Sequence, residues 1–506
     1  MVNELDLWKE YKSKVLVNDY KPKFHFHLDP YFSFEKNHEI IANLLFPKKE
    51  DKPSLYSFSF LPLMKTIVKT PRYKYYKDLG EYKLSTKKRP IFLTAHKDKY
   101  IYGYYSFLLN TLYQEKLSET SFNSVPIAYR SDLGSKCNIQ FSKEVFDHIK
   151  SLDSAITILT DVSSFFDNID HQILKKNWCK ILGTEQLPAD HFKVYKALTS
   201  YRYVVLNSFL KKFNVNIERD KPQNGSLLNL MGNEKFTVKL KKLNTNDLIV
   251  KNQPTKNGEL KGIPQGLSIS ATLSNIYLFD FDEIINNYVT ERGGLYRRYC
   301  DDIILVLPGE DFSEPLSLLK NEIVDQRDMV MKPSKTELAK FIRKNDSEYT
   351  CTTFDCIDIK NGEIEKSNRG KIQYLGFTFD GKDVLIRNTS ISRFYRKMAR
   401  RVRKTIRMAY SGSSKYKSSV IFRKQIYERY THYGNRNFLK YVYDASSKSY
   451  TNNKGEEKEG HNSKKMRKQV SRHMEILDKV IDDKNLERFV KKINKGKKVF
   501  FKKWKK

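Results

Sequence analysis

The chain has 506 residues, 39% hydrophobic and 30% charged, with a formal net charge of +34. That apolar fraction fills two or three packed regions, and no stretch nears the roughly 18 continuous apolar residues of a membrane span, so a soluble multi-lobed protein without a membrane partner is expected. The charge is uneven: residues 391–506 hold 35 Lys/Arg against 10 Asp/Glu, net +25, and the first 390 hold 58 against 49, net +9. Such a basic surface, combined with 32 Tyr and 31 Phe, points to a polyanion whose bases stack on aromatic rings, which is nucleic acid.

Along the chain, the N-terminal MVNELDLWKEYKSK lacks the apolar core of a signal peptide, and residues 1–83 carry no nameable motif. The five cysteines are odd in number and form no CxxC pair, which argues against a disulfide framework or a thiolate zinc site and for a reducing, cytoplasmic setting. AITILTDVSSFF, 155–166, is a β-branched run that reads as a strand delivering Asp161 at its C-terminal end. HQILKKNWCKIL then has a helical pattern. KFTVKLKKLNTNDLIVKN, 235–252, alternates around an Asn-rich turn and predicts an inserted β-hairpin. GIPQGLSISATLSNIYL predicts a helix starting just after Gly266. LYRRY and IILVLP are strand-like runs meeting at Cys300-Asp301-Asp302, which sets an acidic pair at a tight turn. ISRFYRKMARRVRKTIRMAY, 391–410, places Phe394, Met398, Val402 and Ile406 on one helical face with Arg and Lys elsewhere. Residues 445–463 are polar and rich in Gly, Asn and Ser, and read as a mobile loop.

Carboxylates gathered in a partly buried place repel each other unless they share a cation. Oxygen ligands without His or Cys favour a hard ion, Mg2+ or Mn2+. If the strand ending at Asp161 lies beside the 301–302 turn, three carboxylates can hold two ions about 3.5–4 Å apart, the spacing used for in-line phosphoryl displacement. An Asp-Asp pair at a turn is by itself more often a solvated turn. Its meaning here depends on its neighbours.

LTDVSSFFDNIDHQIL, GIPQGLSISATLSNIYL, YCDDIILV, KPSKTEL and YLGFTF follow one another, and each resembles a successive palm motif of reverse transcriptases. With KKRPIFLT and AYRS upstream, the resemblance covers about residues 84–389. It implies an α+β right-hand polymerase: a fingers and palm core over 84–389 with a ferredoxin-like palm, an N-terminal extension over 1–83, and a basic helical thumb and C-terminal region over 390–506. By this resemblance Asp161, Asp301 and Asp302, with the Val162 carbonyl, are the ligands of two Mg2+ ions. Phe166 is the aromatic gate against a ribose 2′-OH, Gln265 and Gly266 lie beside the incoming nucleotide, Arg89 grips its triphosphate, and Lys335 is the general acid toward pyrophosphate. Arg130 of AYRS is expected on template or primer backbone. Arg400, Arg403 and Arg436 are expected to meet nucleic-acid phosphates.

Departures from the common pattern narrow the resemblance. Ser270-Ala271 stands where related enzymes carry Ser-Pro, and the retron hallmarks VTG and NAxxH are absent. YERYTHYGNRNFLKYVYDAS, 427–446, resembles the Gly-x-Arg-Asn-Phe-x-x-Tyr segment of bacterial defence-associated and abortive-infection reverse transcriptases. This implies dNTP polymerisation in anti-phage defence, RNA-directed or template-independent, with a dedicated noncoding RNA, a DNA product and homo-oligomeric assembly. The alternatives are a retron-like or group II intron-like enzyme copying one dedicated RNA, and a non-catalytic RNA-binding scaffold.

Overall fold

The computed structural model describes residues 3–17, 25–47, 54–76, 80–220, 225–231, 234–252, 259–345, 348–358, 362–410, 421–485 and 487–488. The first lobe begins with α1 (Glu4–Leu16) and α2 (Phe34–Leu45). Their apolar residues Leu7, Trp8, Tyr11, Phe34 and Ile41 are buried against Tyr100, Tyr104 and Leu108. Between those helices and their target runs the hairpin β1 (Leu63–Tyr76) and β2 (Glu81–Leu93), paired in one unbroken register from Met64–Leu93 to Tyr76–Glu81. The target is α3 (Asp98–Ser118), whose tyrosines are buried on several sides. An expected boundary at 83/84 therefore falls inside β2, and the N-terminal segment shares its core with the element that follows it.

The palm starts with α4 (Asn138–Ser151) and β3 (Ser154–Ser163), followed by α5 (His171–Leu182) and α6 (Ala189–Thr199). β3 is buried along most of its length because both of its faces are covered. Ile156, Ile158 and Val162 enter the core shared with α3 and α5. Ala155 and Leu159 enter a second core beneath the sheet. The chain then leaves the palm for β4 (Arg202–Val205), α7 (Leu206–Lys212), α8 (Ile217–Asp220), α9 (Phe236–Thr245) and β5 (Ile249–Lys251). β4 joins β1 in parallel, giving the sheet order β2-β1-β4-β5. In place of the expected 235–252 hairpin there is a helix followed by one short strand. KFTVKLKKLN satisfies the helical period as well as the alternating one, and burial of Leu243, with Leu240 packed beside it, against Phe209, Leu227 and Leu228 decides for the helix.

α10 (Ser270–Tyr277) and α11 (Phe279–Glu291) lead to the hairpin β6 (Leu295–Tyr299) and β7 (Asp302–Pro308). α10 begins four residues after Gly266, where the Ser270 hydroxyl donates to the Pro264 carbonyl at 2.6 Å. After α12 (Ser313–Lys320) come β8 (Val330–Met331), β9 (Glu337–Asn345), β10 (Glu348–Asp358) and β11 (Glu363–Ser367). The palm sheet runs β11-β10-β9-β3-β7-β6, with β8 pairing the end of β3. A three-stranded sheet of β12 (Ile372–Tyr374), β13 (Phe377–Phe379) and β14 (Val384–Ile386) backs it.

α13 (Asn388–Ala409) buries the stripe Phe394, Met398, Val402 and Ile406 read from the sequence. The last three meet Ile426 of α14 (Lys424–Tyr430) and Leu477 and Ile481 of a helical stretch over 473–485. α15 (Phe438–Ser446), the hairpin β15 (Ser449–Thr451) and β16 (Glu457–Glu459), and α16 (Lys464–Lys468) complete the described chain. The segment expected to be a mobile loop, 445–463, is thus the end of a helix and a hairpin. Asn452 closes it by accepting from Lys454 and Glu456 backbone N–H groups at 2.9 and 3.0 Å, and Gln140 of α4 donates to the Glu459 carbonyl at 2.7 Å. All five cysteines are free, and among the described residues no helix is long and apolar enough to cross a membrane.

Trp8 lies against Tyr11, Phe34, Phe46 and Tyr104. Its replacement by Ala is expected to cost about 3 kcal/mol or more, read as a lower midpoint in denaturant unfolding of the full chain.

Candidate active site

The antiparallel register of β3 on β7 sets Asp161 directly opposite Asp302, and the Val162 N–H donates to the Asp301 carbonyl at 3.2 Å. The β6–β7 connection is a two-residue turn, Cys300-Asp301, between the paired residues Tyr299 and Asp302. Cys300 has φ +59°, a conformation that costs a side-chain-bearing residue on the order of 1 kcal/mol. The strained turn presents Asp301 at the end of the sheet, next to the Asp161–Asp302 pair. Lys335, in the short 3-10 turn Pro333–Lys335, donates to Asp161 Oδ1 at 2.7 Å. Behind it the hydroxyls of Thr160 and Thr336 meet at 3.0 Å and hold that turn against β3.

These carboxylates are mutually destabilised. Burial and then the charge of Asp161 push the Asp301 carboxyl up from its ordinary value. Asp302 is exposed to solvent at the start of β7, yet the protein crowded around it, followed by the charges of Asp301 and Asp161, pushes it up to about 6 against the opposing pull of Lys335 and Arg387. The cluster is short of positive charge, and its donors are all oxygens, so it suits a hard divalent ion. Among the described residues no group of three or more His, Cys, Asp or Glu side chains stands close enough together to hold an ion as placed. Asp161 is instead engaged by the Lys335 ammonium.

A second set of expected residues lies on adjoining backbone. Phe165 is buried in the core, and Phe166 is half-buried beside it, with ring centroids 5.4 Å apart. The Phe166 carbonyl accepts from the Ile263 N–H at 2.9 Å, and the Gln265 carbonyl accepts from the Phe92 N–H at 2.8 Å, so one chain of bonds links the 165–167 turn, the 263–266 loop and the root of β2. Gly266 has φ +111°, and a Cβ there would lie 2.8 Å from Ile91 Cγ2 and 2.9 Å from the Phe92 carbonyl oxygen. Glycine is required at this point because β2 packs against it.

Arg89 is exposed on β2, and Lys87, two residues earlier, shares its face. Burial, then the charges of Arg89 and Lys335, lower the Lys87 pKa, with Asp161 opposing. Lys87 therefore reaches toward the carboxylate cluster. In the sequence Lys87 carries no mark beyond its i,i+2 spacing from Arg89. A cavity of about 610 Å3 opens beside this loop, lined by Tyr129, Gly266, Ser268, Lys99 and Asn110. The Lys99 ammonium is buried without a hydrogen-bond partner, and burial lowers its pKa to about 8.

Arg130 does not face nucleic acid. Its side chain is 1% exposed, and its guanidinium bonds to Asp132 through Nε at 2.9 Å and also through Nη2, and to Asn123 Oδ1 at 2.7 Å. The carboxylate two residues downstream and the carboxamide seven residues upstream take Nε and Nη2, and Nη1 donates to the Asn123 and Pro126 backbone carbonyls. Arg400 and Arg403 are exposed on α13 and Arg436 is exposed before α15, all away from the carboxylates in sequence and in element. Within the YGNRNF segment two residues are architectural. A Cβ on Gly434 would meet the Glu428 carbonyl oxygen at 1.7 Å, and Asn437 caps α15 while donating to the Glu428 and Thr431 carbonyls at 2.9 and 2.7 Å.

Residues 228–379 match the family model described as reverse transcriptase (RNA-dependent DNA polymerase). That span holds Gln265, Gly266, Asp301, Asp302 and Lys335, and Asp161 joins it through the β3–β7 register. No curated protein matches the chain. Among solved structures it is similar to apo telomerase from Candida tropicalis, at 11% identity over 79% of this chain and 56% of that one, with a TM-score of 0.36. It is also similar to telomerase from Candida albicans in complex with a TWJ fragment of telomeric RNA, at 12% identity over 83% of this chain and 66% of that one, TM-score 0.35. The chain spans little more than half the length of the first.

Two outcomes follow from the geometry. Asp302 holds its proton up to about pH 6 when folded, against an ordinary 3.8; stability from this group is fully present below the lower value and is lost as pH rises through the higher one. Asp302→Asn is therefore expected to raise the melting temperature of ion-free protein at about pH 7.5 and to leave it unchanged near pH 3.5, as scanning calorimetry would show. Arg130→Ala is expected to lower the melting temperature while leaving the salt dependence of RNA binding as in the wild type, since its guanidinium is engaged inside the protein.

Residues 228–379 thus carry a reverse transcriptase domain, and the β3–β7 register brings Asp161 to the aspartates within it.

Proposed function

We propose that the chain adds deoxynucleotides to a growing DNA strand by two-metal nucleotidyl transfer, and that it does so in bacterial defence against phage together with a dedicated noncoding RNA. The observation that carries the chemistry is the pairing of Asp161 with Asp302 across β3 and β7, next to Asp301 in its strained turn. Asp161, Asp301 and Asp302 would hold Mg2+, with the Val162 carbonyl, and Mn2+ would be accepted by the same oxygens. When bound, the two ions would lower the pKa of the attacking hydroxyl and stabilise charge on the transferred phosphorus and on pyrophosphate.

The chain's own groups do the remaining work. Lys335, 2.7 Å from Asp161, is placed to supply a proton to departing pyrophosphate. Arg89 and Lys87 share the face of β2 that turns toward the cluster, where their charges hold a triphosphate. Phe166 stands half-exposed on the turn after β3, where a flat ring excludes a 2′-OH. Gln265 and Gly266 lie beside the nucleotide. The neighbouring cavity, whose buried Lys99 ammonium lies over the Tyr31 and Tyr100 rings without a hydrogen bond, receives the template strand. Arg400, Arg403 and Arg436 on the basic thumb contact duplex or structured RNA through phosphates.

The defence reading is supported by the Gly434–Phe438 segment, whose fold leaves Arg436 exposed between two architectural residues. The retron-like alternative predicts a single copied RNA. Purification from cells with and without phage, with sequencing of bound RNA and DNA, separates the two. Homopolymeric or short repetitive DNA appearing on infection fits defence, whereas one copied locus in both samples removes it.

Purified wild type is expected to incorporate labelled dNTPs with Mg2+, and Asp301→Ala to fall to background in the same assay. Phe166→Ala is expected to raise ribonucleotide use relative to deoxyribonucleotide use by about ten-fold or more. An unchanged ratio removes the gate assignment.

A further inference from the structure

The Cys300-Asp301 turn is tied to the helices behind the palm by a buried guanidinium, beside a weaker contact of Cys300 Sγ with Ser274 Oγ at 3.9 Å. Arg298, in β6, is 0% exposed, as is Asp282 of α11. Two of its nitrogens grip the Asp282 carboxylate as a fork, Nε to Oδ1 at 2.7 Å and Nη2 to Oδ2 at 2.5 Å. Tyr296 donates its hydroxyl to the same carboxylate at 2.7 Å. The fork fixes the plane of the guanidinium. The third nitrogen, Nη1, then donates to the Cys300 carbonyl at 3.1 Å and to Asn275 Oδ1 at 3.2 Å. Asn275, in α10, passes the connection on by donating to the Ala128 carbonyl at 2.9 Å. The backbone of Arg298 is paired as well, accepting from Ile127 N–H and donating to the Val125 carbonyl, each at 2.9 Å.

The geometry points to Arg298 as a positioning residue for the nucleotidyl transfer proposed above, one that holds the Cys300-Asp301 turn in its left-handed conformation through the Cys300 carbonyl. The inference rests on that proposed reaction. Cys300 has φ +59°, so the turn is not its own energy minimum and needs an external hold. Of the three nitrogens, only the one outside the fork reaches the turn. Lysine at this position keeps the charge but cannot grip Asp282 and the Cys300 carbonyl in one fixed plane. The bond also couples the turn to α10, the helix that follows Gln265 and Gly266, so the acidic turn and the nucleotide-side loop share one rigid support.

The test separates positioning from folding. Removing Arg298 alone strands a buried Asp282 carboxylate and confounds the two. The triple variant Arg298→Met, Asp282→Leu, Tyr296→Phe removes the ion pair and its tyrosine together and leaves Asn275 held by its bond to the Ala128 carbonyl, and replacement of a buried ion pair by apolar groups is often neutral for stability. We expect it to melt within a few degrees of wild type, to keep its KM for dNTP within about two-fold, and to lose roughly a hundred-fold in kcat, the scale of an ångström-level misplacement. Arg298→Lys, which retains the charge, is expected to show the same split with a loss of about ten-fold or more.

Wild-type kcat in either folded variant overturns the inference. A loss carried by KM alone overturns it too, because that places the defect in nucleotide binding. Failure of both variants to fold assigns Arg298 to stability and likewise overturns it. Wild-type protein is assayed in parallel with Mg2+ on a primed RNA template, and if it incorporates nothing, the proposed reaction fails and not the assignment of Arg298.

Discussion

The site depends on one constraint, the alignment of β3 with β7. Six pairs of residues, from Ala155–Pro308 to Thr160–Ile303, precede the Asp161–Asp302 pair in an unbroken ladder. A slip of one residue would send every side chain of β3 to the opposite face, exchanging Asp161 for Val162 or Thr160. Such a slip is strongly opposed because both faces of the strand are buried: Ile156 and Ile158 are committed to one core, and Ala155 and Leu159 to the other. The apolar residues of β3 thus secure the position of a carboxylate that lies beyond them. The desolvation and repulsion that push up Asp301 and Asp302 are sustained by that ladder and by the guanidinium holding the turn.

Around this center the fold is layered by how tightly each part is fixed. The palm strands are packed on both sides. The fingers hairpin is joined to the palm by the Phe92–Gln265 backbone bond and by the close approach of β2 to Gly266. The basic thumb packs through the apolar stripe of α13, and its arginines stay outside.

The most readable parts of the sequence were those where a single period dominates. β3 and the β6–β7 hairpin showed as apolar runs broken at carboxylates, and α13 as an apolar stripe at helical spacing among arginines. α9 was misread because KFTVKLKKLN fits two periods, and only the small core around Phe209 and Leu227 chooses between them. The 449–459 hairpin was misread because much of what holds it is polar, Asn452 within it and Gln140 of α4, far away in the chain, with Tyr450 its one side chain packed on the core among the described residues. Motif order pointed to the nearness of Asp161 to the 301–302 pair, and the register supplies the geometry. Arg130 shows the opposite limit: its motif suggested an outward cation, and Asp132 and Asn123 turned it inward. Lys87 and Arg298 passed unnoticed because a lysine among lysines, or an arginine in a strand, carries no sign of what its end will touch.

The fingers hairpin has a mechanical consequence. β4 supports β1 at only three residues, Leu63 to Lys65, and beyond them the paired strands extend for eleven residues of β1, about 35 Å, with no further strand beside them among the described residues. This is a cantilever anchored at one end. A load applied near its tip, by a strand drawn past it, produces the largest bending moment at the root, where Phe92 is bonded to Gln265. Any force on the hairpin is thereby delivered to the 263–266 loop, one bonded link from the turn that follows β3.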